Sequence, residues 1–168
     1  VAANMTHAVD GFLVREVSRR CNYDRAQLLR VDSILGHASG TLSAPQSCHP
    51  IEQASRDHGF LSLRGVEFIT EDNVLDFSLD YRLELENLIS ETLHKPNFEV
   101  LTIHDEYKCH PNYMNLLREC YMTILAELAD STVGQQIIRE VRGDYSYQLD
   151  KFSNDLGDEI MKAEYFLS

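Results

Sequence analysis

Apolar residues fall at three- and four-residue steps over much of this chain, so its elements are mainly amphipathic helices. The first is predicted over Met5 to Arg20: Met5, Val9, Phe12, Leu13 and Val17 form one face, and Arg15, Glu16, Arg19 and Arg20 fall mostly on the other. Asn4 or Thr6 is placed to cap it. A second helix is expected from about Asp24 to Leu35, with Gly36 as its stop, and a short third from Pro50 to near Gly59. The Gly-, Ser- and Pro-containing stretch between them reads as a loop. Phe60 to Ile69 suggests two short strands broken at Gly65. Helical spacing returns over Asp72 to His94 through Leu75, Leu79, Leu83, Leu88 and Ile89, and Lys95-Pro96 ends it.

Phe98 to Ile103 is a short apolar run that leads into His104-Asp105, turns at Asp105-Glu106 and returns to His110 as a second strand. Pro111 and Asn112 then open a helix to about Ala129, followed by two shorter ones, Thr132–Val141 and Tyr145–Phe152, and an aromatic tail, Tyr165-Phe166-Leu167-Ser168. The fold class expected is α+β, mostly helical, with a β-hairpin packed on helices. No internal repeat or low-complexity tract interrupts it.

Composition narrows the function classes. An apolar content of 43% over 168 residues supports a real core, and no run is long enough to span a bilayer. No signal peptide is visible; a start at Val1 fits a processed terminus or a piece of a longer chain. With 27 acidic against 15 basic side chains, the formal charge of −12 repels a phosphate backbone. Residues 1–30 reverse the balance, with Arg15, Arg19, Arg20, Arg25 and Arg30 against Asp10, Glu16 and Asp24. A nucleic-acid contact, which the charge alone disfavours, would belong near the N-terminus, with most of the positive field supplied by a partner. Cys21, Cys48, Cys109 and Cys120 show no C-x-x-C spacing, and reduced thiols in a cytoplasm-like compartment fit them best. Cys48-His49 with His58 lacks a second close ligand pair and reads as loop polar residues.

Two constellations carry candidate chemistry. A stiff hairpin that presents Asp105 to an open cleft suits Mg²⁺, which takes one or two protein carboxylates plus substrate phosphates. Asp is also a common turn residue whose side chain bonds nearby N–H groups. His104 beside it adds a polar group suited to a phosphate or sugar, or to a satisfied half-buried imidazole. Glu106 reads as a spectator and Lys108 as a solvated lysine. In the second constellation Asn4, His7 and Gly11 share a helix face with short polar groups and no bulk, suited to a duplex minor groove. Ordinary helix capping accounts for the same residues.

Asn4-x-x-His7-x-x-Asp10-Gly11, then Ile103-His104-Asp105, then His110-Pro111 and the aromatic tail resemble the end of a single-subunit RNA polymerase of the phage and mitochondrial type. The resemblance implies a partial palm of a right-hand polymerase. The hairpin would be motif C, with Asp105 as catalytic and metal-binding aspartate. His104 would support the RNA 3′ end, and Asn4, His7 and Gly11 would contact the template–RNA hybrid. Phe166 would belong to a C-terminal foot that reaches towards the active site. It divides the chain into a hybrid-contacting helix (1–20), an insertion without assigned role (21–80), and the palm hairpin, following helices and foot (81–168).

The family's first metal aspartate and its fingers lysine and tyrosine have no counterpart here. The resemblance therefore implies one piece of a split phage enzyme in the cytoplasm of an infected bacterium, or in the virion. It would be inactive alone, with Mg²⁺ shared with a second polypeptide and with DNA and RNA bound through the complex. A family A DNA polymerase fragment is an alternative, because Glu follows His-Asp. So is a non-catalytic acidic helical interaction module, which the charge favours.

Overall fold

The computed structural model describes residues 2–41, 48–103, 106–151 and 153–163, with side chains in the first helix from Thr6 onward. Seven α-helices and one two-stranded antiparallel sheet make up the described part. They are α1 (Ala2–Cys21), α2 (Arg25–Ala38), α3 (Pro50–His58), α4 (Leu79–His94), β1 (Leu101–Ile103), β2 (Glu106–Lys108), α5 (Met114–Asp130), α6 (Val133–Arg142) and α7 (Leu156–Lys162), with short 3₁₀ turns before α4 and α5. The mostly helical expectation holds, with the sheet confined to the hairpin. No helix among the described residues is long and apolar enough to cross a membrane.

Helix ends follow their local chemistry. Asp24 caps α2 by accepting from Ala26 and Gln27 N–H, and Ser78 caps α4 by accepting from Tyr81 N–H. The two His-Pro pairs work alike. His49 Nδ1 accepts from Ile51 N–H at 3.3 Å, and His110 Nδ1 from Asn112 N–H at 3.3 Å, each with proline at the first helical position. His49 also packs its ring on Phe77 at 4.6 Å, so it is structural. Gly59 ends α3 at φ 60°, in the left-handed region that glycine tolerates best.

The core has two parts. In the first, α2 and α4 sandwich the 61–77 segment through Leu28, Val31, Leu35, Leu63, Ile69, Phe77, Leu85 and Ile89. Most of the region expected as an insertion thus folds onto α4. In the second, Leu13, Val17 and Cys21 of α1 pack on Leu117, Cys120, Ile124 and Leu128 of α5, with Phe60, Phe98 and Val133 filling in. Cys21 and Cys120 lie in this seam as free thiols, and their interaction raises the Cys21 pKa and lowers that of Cys120.

Charged side chains join the halves. The charged side of α1 is not all solvated. Glu16 is fully buried and accepts from Ser62 Oγ (2.6 Å), Leu63 N–H (2.8 Å) and Arg20 Nε (3.1 Å). Arg20 in turn donates from both terminal nitrogens to Glu127 of α5 (3.0 and 2.7 Å) and from Nη2 to Leu61 O (3.3 Å). One carboxylate and one guanidinium therefore tie α1 to both core parts.

Several expectations are corrected. Phe60–Ile69 forms no strands; it holds a 3₁₀ turn over Leu63–Glu67, because Ser62 caps it and Glu16 takes the Leu63 N–H that a sheet would need. Gly65 sits there for room: a Cβ would meet the Tyr81 hydroxyl at 2.5 Å. Helix α4 starts at Leu79, since Asn73 bonds Thr70 N–H and Phe68 O and bends the preceding chain into its own turn. Leu75 and Leu83 are exposed. Gly36 does not stop α2; the buried Arg82 takes the Ala38 and Thr41 carbonyls at 2.6 and 2.8 Å and carries the helix to Ala38. The strand pairing covers only Leu101–Ile103 of the apolar run. The described part of Tyr145–Phe152 is not helical, because Asp144 folds onto Ser146 N–H (3.1 Å) and Oγ (2.6 Å). Helix α7 was not anticipated.

Glu16→Ala leaves the Leu63 N–H and part of Arg20 without their acceptor inside the protein. Such breakage of a buried pair costs about 3–5 kcal/mol, read as a lower midpoint in urea unfolding, with Glu16→Gln losing less.

Candidate functional site

The hairpin and the N-terminal helix converge on one groove. Its walls are His7, Asp10, Gly11, Leu13, Val14 and Arg15 of α1, Tyr107 of β2 and Tyr121 of α5, around about 580 Å³. His7, Asp10 and Arg15 are exposed, and Gly11 is half-buried. The helical repeat puts positions 7 and 11 on one face. Packing of Leu13 and Val17 on α5 turns that face towards the hairpin.

The hairpin reaches α5 by strand alternation. Ile103 pairs with Glu106, Thr102 with Tyr107 and Leu101 with Lys108. Tyr107 is half-buried while Glu106 and Lys108 are exposed, as period-2 geometry requires. The Tyr107 ring meets Tyr121 edge-on, centroids 5.4 Å apart at 76°. Phe98, at the hairpin base, stacks on Tyr113 with centroids 4.8 Å apart. Glu106 and Lys108 pair with each other at 3.3 Å on the solvent side.

Of the expected site residues, the structure brings His7 and Gly11 together with Tyr107, far along the chain. The backbone of Asn4 lies in α1, but its side chain is outside those described. His104, Asp105 and Phe166 lie outside the described residues. Among the described residues, no group of three or more His, Cys, Asp or Glu is arranged to hold a metal.

Sequence reasoning missed three groove residues: Arg15, Tyr107 and Tyr121. Tyr107 carried a signal, as the one aromatic of the return strand. Burial pushes the Tyr107 phenol pKa up, and Tyr121 and then the Asp10 carboxylate push it further; Tyr121 is raised by burial and then by Asp10. Both phenols thus stay protonated as donors over the working range.

Gly11 is informative for what it does not touch. Its φ is not in the left-handed region, and a Cβ would meet only Arg15 Nη1 at 3.7 Å, an ordinary contact. Glycine inside a helix costs about 1 kcal/mol relative to alanine, and the described residues give no packing reason for it. The open floor it leaves suits close approach by a ligand backbone.

No protein family matches the chain, and no curated protein shows significant similarity to it.

Two outcomes follow from this geometry. Gly11→Ala stabilises the isolated chain by about 0.5–1 kcal/mol, measured by urea unfolding, while narrowing the groove. A phenol pKa raised on folding keeps its proton in the native state after the unfolded chain has lost it. Stability is therefore intact below the ordinary tyrosine pKa of about 10 and falls as pH rises past it. Ultraviolet difference titration will show Tyr107 and Tyr121 ionising above the ordinary tyrosine range, and Asp10→Asn will bring Tyr107 down.

Proposed function

We propose that this chain is the C-terminal palm portion of a DNA-directed RNA polymerase of the single-subunit type, working with a second polypeptide that holds the other catalytic aspartate and the fingers. The reaction is nucleotidyl transfer to an RNA 3′-hydroxyl with release of pyrophosphate. The observation that carries the reading is the shared groove: the His7-x-x-Asp10-Gly11 face and the hairpin strand leaving His104-Asp105 line one concavity, although they lie far apart along the chain. Such convergence is what the resemblance requires of a hybrid-contacting helix and a metal-binding hairpin.

Within that reading Asp105 supplies one carboxylate for Mg²⁺, whose preference for hard oxygen donors fits the acidic turn Asp105-Glu106. The ion would polarise the α-phosphate and lower the pKa of the attacking hydroxyl. The chain's own part is positional. His104 supports the RNA end; His7 and the neutral phenols of Tyr107 and Tyr121 donate to sugar and base-edge acceptors; Gly11 lets the hybrid approach. The resemblance would make Phe166 part of a C-terminal foot that serves the site. The net charge of −12 makes the positive field the partner's contribution.

Reconstitution with the second polypeptide and measurement of RNA extension tests this. Asp105→Asn is expected to lower the rate by about 10³-fold or more, the equivalent of several kcal/mol of transition-state stabilisation. Near wild-type extension would remove Asp105 from the chemistry. Preferential deoxyribonucleotide incorporation would move the chain to the DNA polymerases.

A further inference from the structure

A second cleft, about 160 Å³, opens beside the groove between α1, α3 and the 61–64 segment. Its charged lining is Arg15, Arg19 and Arg64, with His58 beside them, and no carboxylate is among the described residues that line it. This is unexpected in a chain with 27 acidic and 15 basic side chains. The arginines also differ from Arg20, whose charge is consumed by Glu16 and Glu127 at hydrogen-bond distance. Arg19 and Arg64 reach Glu67 only at 3.8 and 3.7 Å, and Arg19 reaches Glu16 at 3.7 Å. These spacings are longer than hydrogen bonds, and Glu67 is half-exposed, so the pairs are weak and the guanidinium N–H groups remain able to donate.

We propose that this cleft binds the phosphodiester backbone of a single-stranded nucleic acid running on from the groove. The choice of occupant rests on the polymerase reading and on one residue: Arg15 lines both the groove and the cleft, so a strand that leaves one meets the other. The volume is too small for a duplex. Planar guanidinium groups suit phosphate oxygens, and the half-buried Phe12, set edge-on to Phe60 at 5.0 Å, offers an apolar wall for a base or sugar. The 21–80 segment thereby gains a role, since Arg64 and His58 come from it. It would convert a local deficit of negative charge into a strand guide.

The test uses the full chain and a fluorescein-labelled uridine homopolymer, with anisotropy measured over a salt series. Each phosphate contact contributes about 0.7 to the slope of log affinity against log salt for a single strand. Arg15→Ala and Arg64→Ala should each remove about that much, Arg64→Lys should restore most of it, and Arg30→Ala, on α2, should change nothing. Circular dichroism checks that each variant is folded. Absence of binding at low salt, or unchanged slopes in the cleft variants, overturns the proposal. So does displacement of the homopolymer by polyglutamate at equal charge, which would make the cleft a seat for an acidic protein segment. Binding requires no catalysis. If affinity follows the arginines while the reconstituted complex does not extend RNA, the cleft stands and the polymerase reading falls.

Discussion

The arrangement depends on a carboxylate taken fully out of water. Glu16 costs several kcal/mol to bury, and it is tolerated because Ser62, Leu63 N–H and Arg20 occupy its oxygens. The result is directional in a way that apolar packing is not. A leucine at this position would bind the 61–63 segment in many registers; the carboxylate accepts only the one in which a hydroxyl and an amide reach it together. Arg20 extends the constraint to Glu127, so the angle between α1 and α5 is set by a bidentate contact as well as by interdigitated side chains. Both the groove and the basic cleft take their shape from that angle, because α1 contributes to each.

Along α1 the cationic residues then divide by what faces them. Arg20 is neutralised and structural. Arg15, one turn away, lies between two concavities. Gly11 and His7 continue the same helix towards the hairpin. A single helix thus carries its anchor near the C-terminal end and its groove-lining residues towards the N-terminal end, and this order lets the latter stay exposed without loss of the former.

Much of the fold was legible because local chemistry decided it. Asp24, Pro50, Gly59 and Pro111 mark boundaries through capping and φ restriction, which operate within a few residues. The hairpin was legible from its apolar run. What failed was decided by distant partners. Nothing in the 60–69 sequence says that a glutamate on α1 will claim the Leu63 amide, and nothing near Gly36 says that Arg82 will cap the carbonyls beyond it. Periodicity put Glu16 on the polar side of α1 without showing its burial, because burial of a charge needs its partner. In the groove, helical spacing already placed His7 and Gly11 on one face. Tyr107 and Tyr121 were not legible, since their relevance arises only when β2 lies on α5.

The foot of the hairpin is fastened to the end of α1. Phe98 N–H donates to Cys21 O at 2.9 Å, Asn97 Nδ2 to Tyr23 O at 2.8 Å, and Tyr23 Oη to Lys95 O at 2.8 Å. The strands beyond are only three residues long, a lever of about 10 Å. Helix and hairpin therefore act as the two jaws of a fixed gauge: whatever tilts one carries the other with it, and the gap between them is preserved.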